Sequence, residues 1–435
     1  MDFDVLIIGA GIAGLSCGAI LANSGYSVLI LEKNNFLGGR CSCEEKDGFT
    51  VDFGLHIVRF GEKSSCAEVI RRINKKIEFL KFGSPLVYYE KKFWNFPNTF
   101  STFLKVFLRE KKFLSSETKL KFLKMFLAAP FTNPKKLTNS SLYDFIKKFS
   151  PTQEIIDIAN LFSGIAFICP DIEKVAAIEV GEFFKKALLT RNHITYPEGG
   201  WKKILKLLEE EILKNGKILK KNEVKKIEIE GEEVVKVITQ EREYKARVYI
   251  STVPFQEFSK IVDLKNFSKD FQKYIEKVEP TSGISLDFGV KKKISELNGL
   301  IITVQPLTIG CFISNIDESL TPKKMQMGNW FCYIPSEKIN DSKYLKNEIY
   351  NFKNLLNEMF PDLQENLVWE RLRIHKIVDG AIPKVGQTYR ERPAVFSNIK
   401  NLFFAGDGIG VIGWGSEIAF NSAIKCGEFV KKYLI

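Results

Sequence analysis

The sequence predicts an α/β fold: a Rossmann-like dinucleotide-binding domain joined to a second, α+β domain. Three observations predict it. Near the start of the chain an apolar run ends in a glycine-rich turn, then leads into a helix, a second apolar run and an acid. Towards the other end, residues 401–407 form another apolar run closing on Gly406-Asp407, again followed by glycines and a helix. Between them lie stretches of strand and helix periodicity, in a chain whose 435 residues are too many for one ordinary core.

Within residues 2–9, Val5, Leu6, Ile7 and Ile8 are consecutive apolar positions, as expected of a parallel strand buried on both faces. Gly9-Ala10-Gly11-Ile12-Ala13-Gly14 then supplies a G-x-G-x-x-G turn. Gly9 permits the tight turn, Gly11 lets backbone approach a pyrophosphate, and Gly14 allows the next helix to pack on the strand. That helix, over 12–24, aims its first amides (Ile12 and Ala13 among them) and its positive dipole end at the phosphates. A strand over 27–31 ends in Glu32, followed by Lys33, and the acid is placed to accept from a ribose hydroxyl. An acid rather than an arginine here disfavours a phosphorylated ribose, leaving FAD and NAD. Gly38 and Gly39 next allow close backbone approach to a ligand, and Arg40 offers a forked, permanently charged donor for phosphate.

The middle of the chain reads as a helix over 201–215 and strands over 224–230, 234–239 and 244–251, the first two joined by a Gly231-Glu232 turn. Residues 61–195 read as mainly helical, from the Val69, Ile73, Ile77 and Ile155, Ile158, Phe162 spacings. Residues 261–369 mix strands (283–290, 300–304, 310–314, 330–334) with a helix near 343–359. The expected division is a discontinuous dinucleotide-binding domain of 1–60, 196–260 and 370–435, and a substrate domain of 61–195 and 261–369.

Taken together, the G-x-G-x-x-G turn, the E-K-x(4)-G-G-R segment from Glu32 to Arg40 and the C-terminal F-F-A-G-D strand, turn and helix resemble the flavin amine oxidase and phytoene desaturase superfamily, which includes protoporphyrinogen oxidases. Tyr196 to Trp201 is similar to its P-x-G-G turn, and Gly54-Leu55-His56-Ile57 is similar to a motif of plant-type carotene desaturases. The resemblance implies FAD as cofactor and an FAD-binding domain of the glutathione-reductase type. It further implies that the Val224 backbone pairs with adenine, that Asp407 (after Gly406) holds a ribityl or pyrophosphate-proximal hydroxyl, and that Gly54 and His56 lie beside the isoalloxazine. Trp414 would approach the flavin face. The helix entered through Gly415, Ser416 and Glu417 would face the pyrimidine edge, where its amides stabilise charge developing on reduction. The C-terminal motif lacks the cysteine that carries a covalent flavin in monoamine oxidases, and 408–416 has no aromatic besides Trp414, so no paired-tyrosine amine cage is evident. Non-covalent FAD is therefore expected. Among the three histidines, His56 is the candidate for the reaction site, His193 could line the domain junction, and His375 reads as structural.

Composition bounds the rest. Eight cysteines without paired metal spacing suggest reduced thiols in a cytoplasmic protein, with no metal. The chain enters a strand at once without a signal-type segment, and no apolar run reaches the ~18–20 residues of a spanning helix. The net charge of +12 is spread along the chain rather than gathered in an arm, so a lysine-rich composition is favoured over anionic membrane, and nucleic-acid binding is not expected. Residues 93–131 interleave apolar and basic residues, with stripes Phe100, Phe103, Leu104, Phe107 and Leu120, Leu123, Leu127. Packing over the substrate cavity is the commoner fate of such stripes; peripheral membrane contact is the other. The sequence therefore predicts an FAD-dependent oxidoreductase passing hydride between an apolar, isoprenoid- or carotenoid-like substrate and flavin N5. The enzymatic alternative is an amine or protoporphyrinogen oxidase. A prenyl-lipid carrier of the GDP-dissociation-inhibitor type is disfavoured, because such a carrier has no reason to keep the flavin motifs.

Overall fold

The computed structural model describes residues 3–95, 115–128, 132–190 and 194–435. Its first layer is a five-stranded parallel sheet in the order Gly216–Leu219, Val28–Leu31, Phe3–Ile8, Ala246–Ser251, Leu402–Phe404. Val5, Leu6 and Ile7 at its centre are wholly buried, as a strand covered on both faces must be. The helix Ile12–Asn23 is buried from Ile12 to Ala22, because its small residues let the sheet on one side and the helices Gly200–Ile212 and Ser416–Leu434 on others close on it. At Gly18 a Cβ would meet Ile30 Cδ1 at 2.9 Å, so any larger residue there would have to displace that side chain. A three-stranded antiparallel sheet, Val224–Glu230, Glu233–Thr239 and Glu243–Tyr244, completes this part. The strand expected over 244–251 is thus divided between two sheets, Tyr244 in one and Ala246–Ser251 in the other.

A second, seven-stranded mixed sheet runs Leu367–His375, Ser282–Val290, Gln326–Ile334, Thr308–Cys311, Ile301–Thr303, Leu86–Tyr89, Lys92–Asn95. The alternation of Ser282–Val290 explains its place. Ile284, Leu286, Phe288 and Val290 share an apolar cluster with Phe352, Leu356 and Met359 of the helix Ser342–Met359. On the other face Ser285 meets His375 and Asp287 meets Arg371, which in turn reaches Glu44 and Asp52 of the hairpin Cys43–Lys46 and Phe49–Asp52. Helices Ser116–Ala128, Pro134–Thr138, Leu142–Lys147, Gln153–Phe167 and Ala177–Leu188 gather around a third cluster that includes Phe145, Phe167, Ile178 and Trp414.

Three expectations need correction. Residues 61–195 are not mainly helical at their start, since Phe79–Lys81, Leu86–Tyr89 and Lys92–Asn95 are strands, the last two joining the large sheet. The helix near residue 69 is Ser65–Arg72, and Ile77 lies beyond it. Asn74 takes φ 57° and the Lys75 amide donates to the Ile70 carbonyl, a left-handed stop that asparagine tolerates. Residues 370–375 belong with the second sheet, because Leu367–His375 pairs along Ser282–Val290. Of the two apolar stripes, Phe100 to Phe107 lies outside the described residues. On Ser116–Ala128, Leu120 and Leu123 are exposed rather than packed over a cavity. No helix of the described residues is long and apolar enough to cross a membrane.

The two parts are tied by a buried ionic network. Arg371 donates from Nε and Nη2 to Asp287 Oδ2, at 3.1 and 2.6 Å, from Nη1 to Glu44 at 2.7 Å, and from Nη2 to the Asp52 carbonyl. Asn329 takes the other oxygen of Asp287 at 2.8 Å, and Tyr196 donates to Asp52 Oδ2 at 2.5 Å. Burial pushes the Asp52 carboxyl up to about 7 despite the Tyr196 bond. Removing one partner of a buried pair strands the other, at about 3–5 kcal/mol, whereas replacing both by apolar groups is far milder. Asp287→Ala should therefore lower the calorimetric unfolding temperature sharply, and Asp287→Leu with Arg371→Met should lower it less. Equal losses in the single and double variants would show that the network does not hold the parts together.

Candidate functional site

The nucleotide end is built on backbone. Gly9 adopts φ 101°, and a Cβ at Gly14 would sit 2.1 Å from the Gly9 carbonyl oxygen, so strand, turn and helix fit only with glycines. At Gly11 a Cβ would meet nothing within 4 Å: the turn opens a space there, bounded on one side by Gly38-Gly39. The Gly38 amide donates to the Ala10 carbonyl at 2.8 Å, and a Cβ on Gly39 would lie 3.3 Å from Gly11 Cα. Ile12 and Ala13 begin the helix that points its amides into that space.

Glu32 ends its strand with a buried carboxylate. One oxygen accepts from the Ala10 amide at 2.8 Å, and the other from the Asn34 amide and side chain, each at 2.8 Å. The Asn222 amide donates to the Glu32 carbonyl, which brings Val224, at an irregular point of its strand pairing, beside the same end of the sheet. Lys33 is exposed, with its charge near Glu223.

The other motif residues meet at the opposite end of the turn. Arg40 grips Asp407 with both terminal nitrogens, at 2.7 and 2.9 Å, and also donates to the Val378 carbonyl at 2.7 Å. The Gly380 amide donates to Asp407 at 2.6 Å. Burial alone would raise the Asp407 carboxyl, but the Arg40 charge holds it below the usual range; burial likewise opposes the Arg40 charge, and Asp407 raises its pKa regardless. The fork of Arg40 is thus engaged by protein groups instead of standing free for phosphate, and Asp407 is its partner. At Gly406 and Gly415 a Cβ would meet nothing within 4 Å, so both face open space.

Gly415 precedes the helix Ser416–Leu434 with φ 60°. Glu417, in its first turn, turns away to accept from the Ser65 amide at 2.9 Å and from Lys186 at 2.7 Å, which makes it an anchor for neighbouring helices rather than a ligand side chain. Ser416 is half-buried at the helix entry. Trp414 is buried and packs edge-on against Phe60 and Phe183, with ring centroids 6.1 and 5.0 Å away. Its indole N–H is buried and has no hydrogen-bond partner among the described residues.

His56 Nε2 donates to the Arg40 carbonyl at 2.9 Å, which fixes the tautomer of the neutral ring. Burial, with His375 nearby, pushes His56 down to about 4. Its neighbour Gly54, at φ 114°, lies against Ser285 and His375, whose ring nitrogen is 2.8 Å from the Ser285 hydroxyl. Burial, helped by Arg373, pushes His375 also to about 4. His375 therefore stands in the site region that the sequence reading gave to His56 alone, and His193 lies outside the described residues. Sequence reasoning also missed Arg59 and Asp379. Arg59 is half-buried, donates to the Ile165 carbonyl at 3.0 Å and lies over the Phe183 ring. Asp379 is the residue between the two backbone groups that Arg40 and Asp407 hold. Neither carries a local motif.

The site thus joins an open, glycine-lined phosphate cradle, a ribose-type acid and a closed ion pair to a neutral-histidine and aromatic region. These residues fit a flavin dinucleotide along the carboxyl ends of the parallel strands.

The family model for flavin containing amine oxidoreductases matches residues 12–426. A phytoene desaturase of Fusarium fujikuroi is 54% identical over 50 residues, 12% of this chain, so the chain spans only 9% of that relative. Among solved structures, an oxidoreductase from Methanosarcina mazei superposes with a TM-score of 0.82 at 22% identity, covering 98% of this chain and 99% of that one. Cyclohexylamine oxidase from Brevibacterium oxydans IH-35A superposes with a TM-score of 0.71 at 15% identity, and all of both chains is covered (100% each). At such identities the structures share the fold.

Charge-assisted hydrogen bonds to Glu32 are worth roughly 1.5–3 kcal/mol each. Glu32→Ala should weaken FAD binding by about one to two orders of magnitude in titration calorimetry. Unchanged affinity would place the acid away from the ribose.

Proposed function

The chain belongs to the flavin containing amine oxidoreductase family and is an FAD-dependent oxidoreductase; within that family we propose that it transfers hydride between an apolar, isoprenoid- or carotenoid-like substrate and flavin, in the manner of a phytoene desaturase. The observation that carries this reading is the composition of the region next to the cradle. Phe60, Phe162, Phe167, Phe183, Phe184 and Trp414 pack on one another there, and its Lys186 and Glu417 are paired with each other. A neighbourhood of this make-up suits hydrocarbon, which gains about 0.8 kcal/mol per methylene on burial, and offers few groups to recognise a polar substrate.

When bound, FAD supplies a two-electron acceptor at N5. In this reading Gly11 with the amides of Ile12 and Ala13 receives the pyrophosphate, Glu32 the ribose, and the Val224 backbone the adenine. Gly38, Gly39 and Gly406 leave room for the dinucleotide, and the entry of Ser416–Leu434 faces the pyrimidine edge. Non-covalent attachment is part of this reading: the C-terminal flavin motif has no cysteine, and Cys426 beyond it is buried beside Cys17, which supports it. His56 and His375, held neutral by burial, add no charge of their own beside the flavin.

Amine oxidation is the alternative, favoured by the family description and by the fold shared with cyclohexylamine oxidase. A peripheral membrane contact also belongs to this reading: Leu120 and Leu123 are exposed on a helix bearing Lys119, Lys121 and Lys124, a pattern suited to an anionic interface through which an isoprenoid would arrive.

The purified protein should be yellow and release FAD on heat denaturation. Under anaerobic conditions phytoene in liposomes should bleach the flavin, and cyclohexylamine should not. Bleaching by the amine without bleaching by phytoene would overturn the hydrocarbon reading.

A further inference from the structure

Asp379 is held from both sides by groups of the cofactor-binding motifs. The Val378 carbonyl before it accepts from Arg40, and the Gly380 amide after it donates to Asp407. Its own amide donates to Thr281 Oγ1 at 2.9 Å, and its carbonyl accepts from the Thr281 amide at 3.1 Å. The backbone is therefore fixed across three residues, and no hydrogen bond from the described residues is formed to the carboxylate. Asp379 itself is half-exposed beside the Arg40–Asp407 pair, and it feels the charge of Arg59, whose guanidinium lies over the Phe183 ring of the aromatic region. The charges acting on it come from four separate elements: Arg40 after the glycine pair, Arg59 from the short strand Val58–Arg59, Arg392 from the approach to the last parallel strand, and Asp407 after it.

We propose that the Asp379 carboxylate takes up the proton released when the substrate is oxidised, a role that rests on the hydride-transfer reading above. In dehydrogenation of a saturated carbon pair, one C–H bond breaks with both electrons leaving as hydride to FAD. The pair of the neighbouring C–H bond becomes the new π bond, and its proton forms an O–H bond on Asp379. A carboxylate fixed in position but without a hydrogen-bond donor of its own is suited to this. Arg40 and Arg392 are already partnered, by Asp407 and by the Gln387 carbonyl, and so do not quench it by direct pairing. Burial, reinforced by the Asp407 charge, brings its carboxyl up to about 6, where it both accepts and returns a proton near neutral pH.

Asp379→Asn and Asp379→Glu, loaded with FAD, test this in two ways. The first needs no substrate: sulfite, an anion that adds to flavin N5, is titrated between pH 5 and 8. An ionised Asp379 beside the flavin repels the anion, so the Asn variant should bind sulfite about tenfold more tightly than wild type at pH 8. That ratio should close toward unity by pH 5, as the wild-type carboxyl gains its proton. The second measures anaerobic bleaching by phytoene. The Asn variant should retain FAD and its unfolding temperature yet bleach at least about 100-fold more slowly, with partial rescue in the Glu variant. Equal sulfite profiles for wild type and Asn overturn the placement of Asp379, and bleaching within threefold of wild type overturns its proton role. If wild type itself is not bleached by phytoene, the hydrocarbon reading fails, while the sulfite ratio still decides whether Asp379 faces the flavin.

Discussion

The ion pair between Arg40 and Asp407 is the interaction on which the site depends. It closes 367 positions of chain with two hydrogen bonds between the same two side chains. A planar guanidinium can meet both oxygens of a carboxylate at once, and that fork fixes direction as well as distance. Because Arg40 also holds the Val378 carbonyl and Asp407 the Gly380 amide, the pair sets three segments in register: the glycine pair after the second strand, the entry from the second sheet, and the turn before the last helix. A lysine in place of Arg40 would supply the charge and lose this geometry.

The surroundings follow one electrostatic rule. Buried charges occur with partners: Glu417 with Lys186, Asp287 with Arg371, Asp407 with Arg40. The two histidines of the site have no such partner and are neutral by environment, as burial makes both His56 and His375. What remains is a region of aromatic rings with Arg59 over Phe183, and a half-exposed carboxylate, Asp379, beside the Arg40–Asp407 pair. Such a region excludes water and leaves electrostatics to the few groups that stand at fixed positions, which is the condition under which an enzyme's own dipoles act strongly on a reacting centre.

Much of this was legible in the sequence, for a local reason. Gly9 and Gly14 are required by backbone geometry within one turn and Gly11 keeps open the space beside them, and the apolar run before them and the acid after them belong to the same short unit, so each could be assigned from its neighbours. The same holds for Gly406-Asp407 and the helix behind it. Arg40 and Asp407 were both singled out, but not as partners, because nothing local says that residues so far apart meet. The strands Leu86–Tyr89 and Lys92–Asn95 escaped notice since each is only four residues long without apolar–polar alternation, and the first joins the sheet through Ile301–Thr303, far along the chain. Asp379, Arg59 and His375 were missed for a related reason: each is ordinary in its own segment and gains meaning only where several segments converge.

A double-mutant cycle on Arg40→Met and Asp407→Asn, read as FAD dissociation constants by titration calorimetry, tests the central claim most directly. If the pair is the clasp of the cofactor site, each single variant loses at least about tenfold in affinity and the double variant is little worse than either, a coupling of about 1–3 kcal/mol. Losses that simply add, or single variants that bind FAD as wild type does, would contradict it.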